Sequence, residues 1–100
     1  MPRMVKPIQS LTTDEVGRIS RVHVVRVTTT AEMSSWDVTL HSLATSAPLA
    51  HDVLNLERDD LDGISPYVEF VLARVGLRLM GRLEPSGNPV SRFVGHVEER

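Results

Sequence analysis

The sequence of 100 residues has no cysteine, only four aromatic residues and no long hydrophobic run. Without cysteine, the chain has no disulfides, no thiolate zinc site and no cysteine nucleophile. With so few aromatic rings, the core has to be built mainly from Val and Leu side chains. Because no apolar run approaches membrane-spanning length and the first residues form no apolar leader, the cytoplasm is the expected compartment.

Excess charge of either sign is also lacking. The formal net charge is −2, and Lys6 is the single lysine among eleven basic residues. A chain with this balance has no overall electrostatic attraction for nucleic acid or for an anionic membrane surface. A membrane partner is therefore not expected, and nucleic acid is disfavoured as a partner.

The motifs of common catalytic and cofactor sites are missing as well. There is no Gly-x-Ser-x-Gly nucleophile motif and no glycine-rich phosphate loop. His23, His41 and His51 lack the His-x-His or His-x-x-x-His spacing of metal ligands. The sequence therefore predicts no catalytic residue, no metal site and no cofactor, and it favours a non-enzymatic protein without excluding an enzyme.

The clearest element that is present is a helix over residues 65–76. Ser65 and Pro66 suit its first positions, where a side-chain cap and a residue without an N–H are favourable. Gly76 suits its C-terminal cap. An apolar stripe recurs at helical spacing, in Ile64, Tyr67, Val68, Val71, Leu72 and Val75. Such a helix needs a sheet against which to pack.

A hairpin is predicted before this helix, from residues 21–30 and 36–43. The first strand is rich in β-branched residues, and the second alternates as a half-buried antiparallel strand. Both faces of the first strand carry valine: Val22 and Val24 alternate with His23, Val25 and Val27. This strand is therefore expected at the centre of the sheet, with cover on both sides.

A second hairpin is predicted after the helix, where the apolar period changes to two. Residues 85–89 give a strong turn signal between its strands. A turn centred on Gly87 sets Arg82 opposite Arg92 and Arg78 opposite His96. These four residues, Arg78, Arg82, Arg92 and His96, are a candidate contact for an anion or nucleic acid. A solvated strand face neutralised by nearby glutamates is the more ordinary interpretation.

The remaining segments complete a small α+β domain over residues 11–97. Residues 1–10 are expected to form an extended or disordered arm, and 98–100 a frayed tail. Thr12 and Glu15 have capping-box spacing and predict a short helix, although the next strand could begin as early as Gly17. Residues 51–56 are ambiguous between a short strand and a helical turn. The predicted fold is a largely antiparallel four-stranded sheet of two hairpins, packed by one main helix, with a short N-terminal helix.

Three hypotheses for function follow. The first is a non-enzymatic interaction or regulatory module that forms a homodimer or masks a partner protein, because one helix covers only one face of the valine-rich strand. Its candidate interface residues are Phe70, Arg74, Val25 and Val27. The second is nucleic-acid binding through the last hairpin and a basic arm containing Arg3 and Lys6. The third is a small-ligand or enzyme site on the second sheet face, formed by His23, His41 and Asp37.

Overall fold

The computed structural model describes residues 6–29, 34–43, 47–56, 61–86 and 92–100. These residues form a 3₁₀ turn (Ile8–Ser10), two helices and five strands. The helices are α1 (Thr13–Val16) and α2 (Leu61–Ala73), and the strands are β1 (Ile19–Thr29), β2 (Ser34–Ser42), β3 (Pro48–Leu56), β4 (Leu77–Ser86) and β5 (Arg92–Glu99). Within these described ranges, no helix is both long and apolar enough to cross a membrane.

The strands form one antiparallel sheet in the order β3-β2-β1-β5-β4. The predicted α+β class, the central position of β1 and the two hairpins are confirmed. The sheet has five strands instead of four, because the ambiguous residues 51–56 belong to β3, which pairs with β2 at one edge.

One face of the sheet, here called the first face, is sealed by the helices. Its residues on β1 and β2 are fully buried: Val22, Val24, Trp36, Val38 and Leu40. They form one cluster with residues of α2 and of the N-terminal segment: Ile64, Val68, Leu72, Ile8 and Val16. Because each large apolar side chain buried in this way contributes about 1.5–3 kcal/mol, this cluster is the folding core.

Helix α2 begins one turn earlier than predicted. It starts at Leu61, so Pro66 lies inside the helix and not at its first position. Ile64 is fully buried one turn before Val68, and burial of this stripe favours a helix that already includes it. Tyr67, predicted on the buried stripe, is 53% exposed. The C-terminal end is as predicted, with Gly76 at a φ of 80°.

The N-terminal segment packs on the domain from Lys6 onward, in contrast to the predicted arm. The carbonyl of Lys6 accepts a hydrogen bond of 3.0 Å from the His51 amide, as part of a parallel bridge to β3. Ile8 is buried in the core. This segment therefore belongs to the cover of the first face, while residues 1–5 of the predicted arm lie outside the described residues.

The predicted capping box is present at the start of α1. Thr12 Oγ1 accepts from the Glu15 amide, and Glu15 accepts from the Thr12 amide. Lys6 Nζ also donates to Glu15 Oε1 at 2.6 Å. These hydrogen bonds, that from Lys6 above all, lower the pKa of Glu15 from 4.5 to about 2. The carboxylate thus joins the N-terminal segment to α1.

Strands β4 and β5 pair in a register that differs from the predicted one. The observed opposite pairs are Arg78–Glu98, Met80–His96, Glu84–Val94 and Ser86–Arg92. The difference begins next to the connection, because β4 continues through Ser86, so Ser86 and not Arg82 faces Arg92. A bulge between Met80 and Glu84 then changes the register a second time, and there Gly81 has a φ of 76°, a left-handed conformation that favours glycine. Leu83 lies in this bulge and is buried in the core. At the other end, Glu98 and Glu99 are paired in β5 and do not form the expected frayed tail.

Candidate functional site, the second face of the sheet

The opposite face of the sheet, here called the second face, carries polar residues and valines. No described helix or turn covers it, since α1, α2 and the 3₁₀ turn pack in the first-face cluster. Val53 of β3 and Met80 of β4 are 51% and 49% exposed on it. The second face is thus accessible at both edges of the sheet, and its residues form the candidate site.

Cross-strand pairing arranges the second face in three rows. The Arg21 row contains His41, Arg21, His96 and Met80. The His23 row contains His51, Thr39, His23, Val94 and Glu84. The Val25 row contains Val53, Asp37, Val25, Arg92 and Ser86. Each row runs across all or nearly all of the five strands.

All four histidines of the chain lie on this face. The rings of His23 and His41 are diagonal neighbours on β1 and β2, and their centroids are 4.3 Å apart. His41 Nε2 is also 2.8 Å from Thr39 Oγ1, which fixes the orientation of that ring. The sequence shows these histidines far apart along the chain, and only the strand register brings them together.

The environment of His23 disfavours its charged form. Burial lowers the pKa of His23 from its ordinary value of 6.5, and the positive charges of His41, Arg92 and Arg21 lower it further. The His23 ring is therefore neutral at pH 7. Because this central ring is neutral, the second face carries less positive charge than its histidines and arginines would give together. It therefore repels an approaching protein surface less.

The carboxylate of Asp37 lies beside a different histidine. Asp37 Oδ1 is 3.0 Å from His51 Nε2, across the β2–β3 pair. Both side chains are more than a third exposed, so the ion pair formed when His51 is protonated contributes little to stability. Asp37 is instead an accessible negative charge on the half of the face formed by β2 and β3.

The predicted cluster of Arg78, Arg82, Arg92 and His96 is not brought together, because its register was wrong. Arg78 forms an ion pair with Glu98, and Arg82 is an exposed residue of the β4 bulge. Arg92 and His96 lie next to β1 instead, in the Val25 and Arg21 rows. Arg21 is the basic neighbour that sequence reasoning missed, although strand alternation already placed it on the same face as His23.

The residues of the small-ligand hypothesis share the second face but do not converge on one point. His23 and His41 are in contact, whereas Asp37 is bonded to His51. In the part of the chain that the structure describes, no group of three His, Asp or Glu side chains is arranged to hold a metal ion. The arrangement offers hydrogen bonds, a ring surface and fixed charges, which suit recognition of another surface.

The predicted interface residues belong to two separate surfaces. Val25 is half-buried in the middle of the second face, and Val27, the extra residue of a bulge in β1, is 57% exposed. Phe70 is 63% exposed on α2, and the Arg74 guanidinium lies 5.9 Å from the centre of its ring. Helix α2 packs on the first face, so these two pairs cannot contact the same surface of one partner.

Comparison with known proteins finds no matching protein family, no similar curated protein and no similar solved structure.

Proposed function

We propose that this protein is a non-enzymatic interaction module that self-associates by packing its second face against the same face of another copy. The observation that carries the proposal is the uncovered second face, on which Val25, Val53, Val94 and Met80 lie among polar residues. Two antiparallel sheets can bury such faces by packing against each other, about 10 Å apart. A second copy supplies a sheet of identical size.

The size of the face supports a dimer. Five strands at about 4.8 Å spacing, each about nine residues long at about 3.3 Å per residue, give roughly 700 Å². Specific protein interfaces bury about 600–1,000 Å² on each partner. Since the second face reaches this range, a face-to-face dimer needs no further contact to be of standard size.

The distribution of charge on the face supports one orientation. A two-fold axis parallel to the strands places β2 opposite β5 of the second copy and keeps each row opposite the same row. Asp37 then faces Arg92 of the second copy, and Val25 faces its own counterpart. A two-fold axis across the strands would instead place Arg92 opposite His96 of the second copy, so complementary charge favours the first arrangement.

This orientation brings Arg21, on the central strand, close to Arg21 of the second copy, so two like charges repel each other. The Nε of Arg21 is buried and has no hydrogen-bond partner among the described residues. Replacing Arg21 by Gln removes the like-charge repulsion, so the Arg21→Gln variant is expected to associate more tightly than the wild type. A weaker association of this variant would contradict the orientation.

A pair of charge reversals tests the proposal. Size-exclusion chromatography with light scattering should give a dimer for the wild type and monomers for Asp37→Arg and for Arg92→Asp. An equimolar mixture of the two variants should recover a dimer, because each variant then meets opposite charges on the other. Glu69→Arg, on the exposed side of α2, serves as the control and should stay dimeric. Circular dichroism checks the fold, since Asp37 also contacts His51.

The possible results distinguish self-association from the proposed orientation of the two copies. A wild type that remains monomeric at about 1 mM would remove self-association and leave the second face for a different protein, because standard interfaces between copies hold far below that concentration. A dimeric wild type that tolerates both reversals would keep self-association and remove the orientation.

A further inference from the structure

The outer edge of β3 is a second surface that the fold leaves unused. β3 pairs with β2 on one side and is the last strand of the sheet on the other. The chain already adds a short extended segment there, because the Lys6 carbonyl accepts from the His51 amide at 3.0 Å. After Lys6 the chain leaves the edge, and the 3₁₀ turn buries Ile8 in the core.

The edge beyond His51 keeps its backbone groups free of any described segment. Backbone groups of alternate strand residues point to the same side, so Val53 and Asn55 direct their N–H and C=O outward as His51 does. Among the described residues, none pairs with these outward groups. Unpaired strand edges of this kind form hydrogen bonds with an added strand.

An apolar groove of about 320 Å³ lies beside this edge, between β3, the 3₁₀ turn and α2. Leu54, Val71, Tyr67 and Phe70 are among the residues that line it. The two aromatic side chains are more than half exposed although they belong to the main helix. A strand added at the edge would direct alternate side chains toward this groove.

We infer that the edge of β3 binds an extended peptide segment of a partner protein as an additional strand, with apolar side chains of the peptide inserted between Leu54 and Phe70. The Lys6 bridge supports this occupant, because the same edge already accepts an extended chain. The combination of free main-chain groups with an adjoining apolar groove is the arrangement used for β-strand addition. The site is independent of the second face and of the proposed self-association.

The probe is a peptide of about eight alternating Val and Thr residues, with a form N-methylated on alternate residues as its control. In titrations followed by NMR, the amide signals of Val53 and Asn55 and the ring signals of Tyr67 and Phe70 should shift with the unmodified peptide. The N-methylated peptide should leave them unchanged, because its backbone lacks the donors that pair with the edge.

Two matched pairs of variants identify the contacts. Asn55→Pro removes the outward N–H, whereas Asn55→Ala keeps it, and both lose the hydrogen bond that Asn55 accepts from Ser35. Proline is tolerated on an edge strand where its missing N–H faces outward. Asn55→Pro should weaken binding about tenfold relative to Asn55→Ala. Phe70→Ser should weaken it by a similar factor, and Glu69→Ser, next to it on α2, should not.

Three results would overturn the inference: no shift at about 1 mM peptide, shifts confined to second-face residues other than Val53, or equal affinities of the two Asn55 variants. A fourth concerns the occupant, since a dimer that dissociates on Asn55→Pro would show that the edge pairs with a second copy. A wild type that is monomeric but binds the peptide would contradict the proposed self-association and support the peptide site.

Discussion

The two faces of the sheet come from the same five strands, but they differ in what covers them. On the first face, Val24 and Trp36 are fully buried under α2 and the N-terminal segment. On the second face, Val25 lies between Asp37 and Arg92 without a described element above it. Strand alternation thus divides adjacent residues of β1 between two environments, one residue in the folding core and the next on the face that we propose contacts a partner.

The sharpest test of this comparison replaces two consecutive valines of β1. Val24→Ala removes two buried methyl groups and leaves a cavity, so we expect the free energy of unfolding to fall by roughly 2–3 kcal/mol. Val25→Ala loses the same β-propensity but less buried area, and we expect a loss of less than about 1 kcal/mol in the monomer. Urea unfolding at low protein concentration measures both.

The same pair separates stability from association. Val25→Ala should weaken the dimer at high concentration, while a protein that still folds with Val24→Ala should dimerise normally. Equal stability losses for the two variants would mean that the second face is as well covered as the first, and that the two faces do not differ as described.

The central part of the sheet could be predicted from local patterns. The alternation of residues 21–30 identified the faces of β1, and the Gly76 position identified the end of α2, because both depend on neighbours within a few residues. Tyr67 shows the limit of such patterns: it has the helical spacing of the buried stripe but is more than half exposed, and it lines the groove beside β3.

The candidate site was harder to predict, since it depends on pairing between distant strands. Contact between His23 and His41 requires the β1–β2 register, and the place of Arg92 beside Val25 requires the β1–β5 register. A bulge changes which residues face each other without changing the apolar pattern that signals a strand. The predicted opposition of Arg82 and Arg92 is wrong because β4 continues to Ser86, which faces Arg92, whereas Arg82 lies in the bulge.

The bulge gives the next prediction. Gly81 has a φ of 76°, and a side chain at such a position costs roughly 1–2 kcal/mol even though the space around it is open. Gly81→Ala should therefore lower the free energy of unfolding by about that amount, measured by urea unfolding. The wild-type β4–β5 register should persist, because Leu83 is held in the core.

Gly81→Asn provides the control, since asparagine adopts the left-handed conformation more readily than alanine. It should lose less stability than Gly81→Ala. If both variants were as stable as the wild type, the bulge would not depend on a residue in the left-handed conformation.

A smaller effect is expected from pH on the second face. The pKa of His23 is lowered in the folded protein, so below about pH 6.5 the unfolded chain binds this proton more readily. The neutral His23 ring therefore contributes its full share to the free energy of unfolding above that pH, and this share is lost as pH falls toward the lowered pKa. His23→Gln should therefore make the free energy of unfolding fall less steeply between about pH 7 and about pH 5.

Val94→Ala is the matched control, because Val94 lies opposite His23 on β5 and does not titrate. It should lower the unfolding free energy by the same amount at every pH. A slope that is unchanged in His23→Gln would show that burial and the neighbouring charges of His41, Arg92 and Arg21 do not lower the pKa of His23 in the folded protein.

The smallest effect is expected at Glu15, which helps to hold the cover of the first face. The pKa of Glu15 is about 2 when folded against an ordinary 4.5, so its contribution to stability is present above about pH 4.5 and is lost as pH falls toward 2. Glu15→Gln keeps an acceptor for the Thr12 amide but loses the charge that faces Lys6. The variant should be less stable than the wild type at neutral pH, and the stabilities of the two proteins should converge in acid.

Thermal unfolding at a series of pH values measures this difference in stability. When Lys6→Met is present in both proteins, the difference should disappear at neutral pH as well. A gap that remains constant into acid would mean that the side chain matters for its shape alone, and that the N-terminal segment is held on the first face by burial of Ile8 without help from charge.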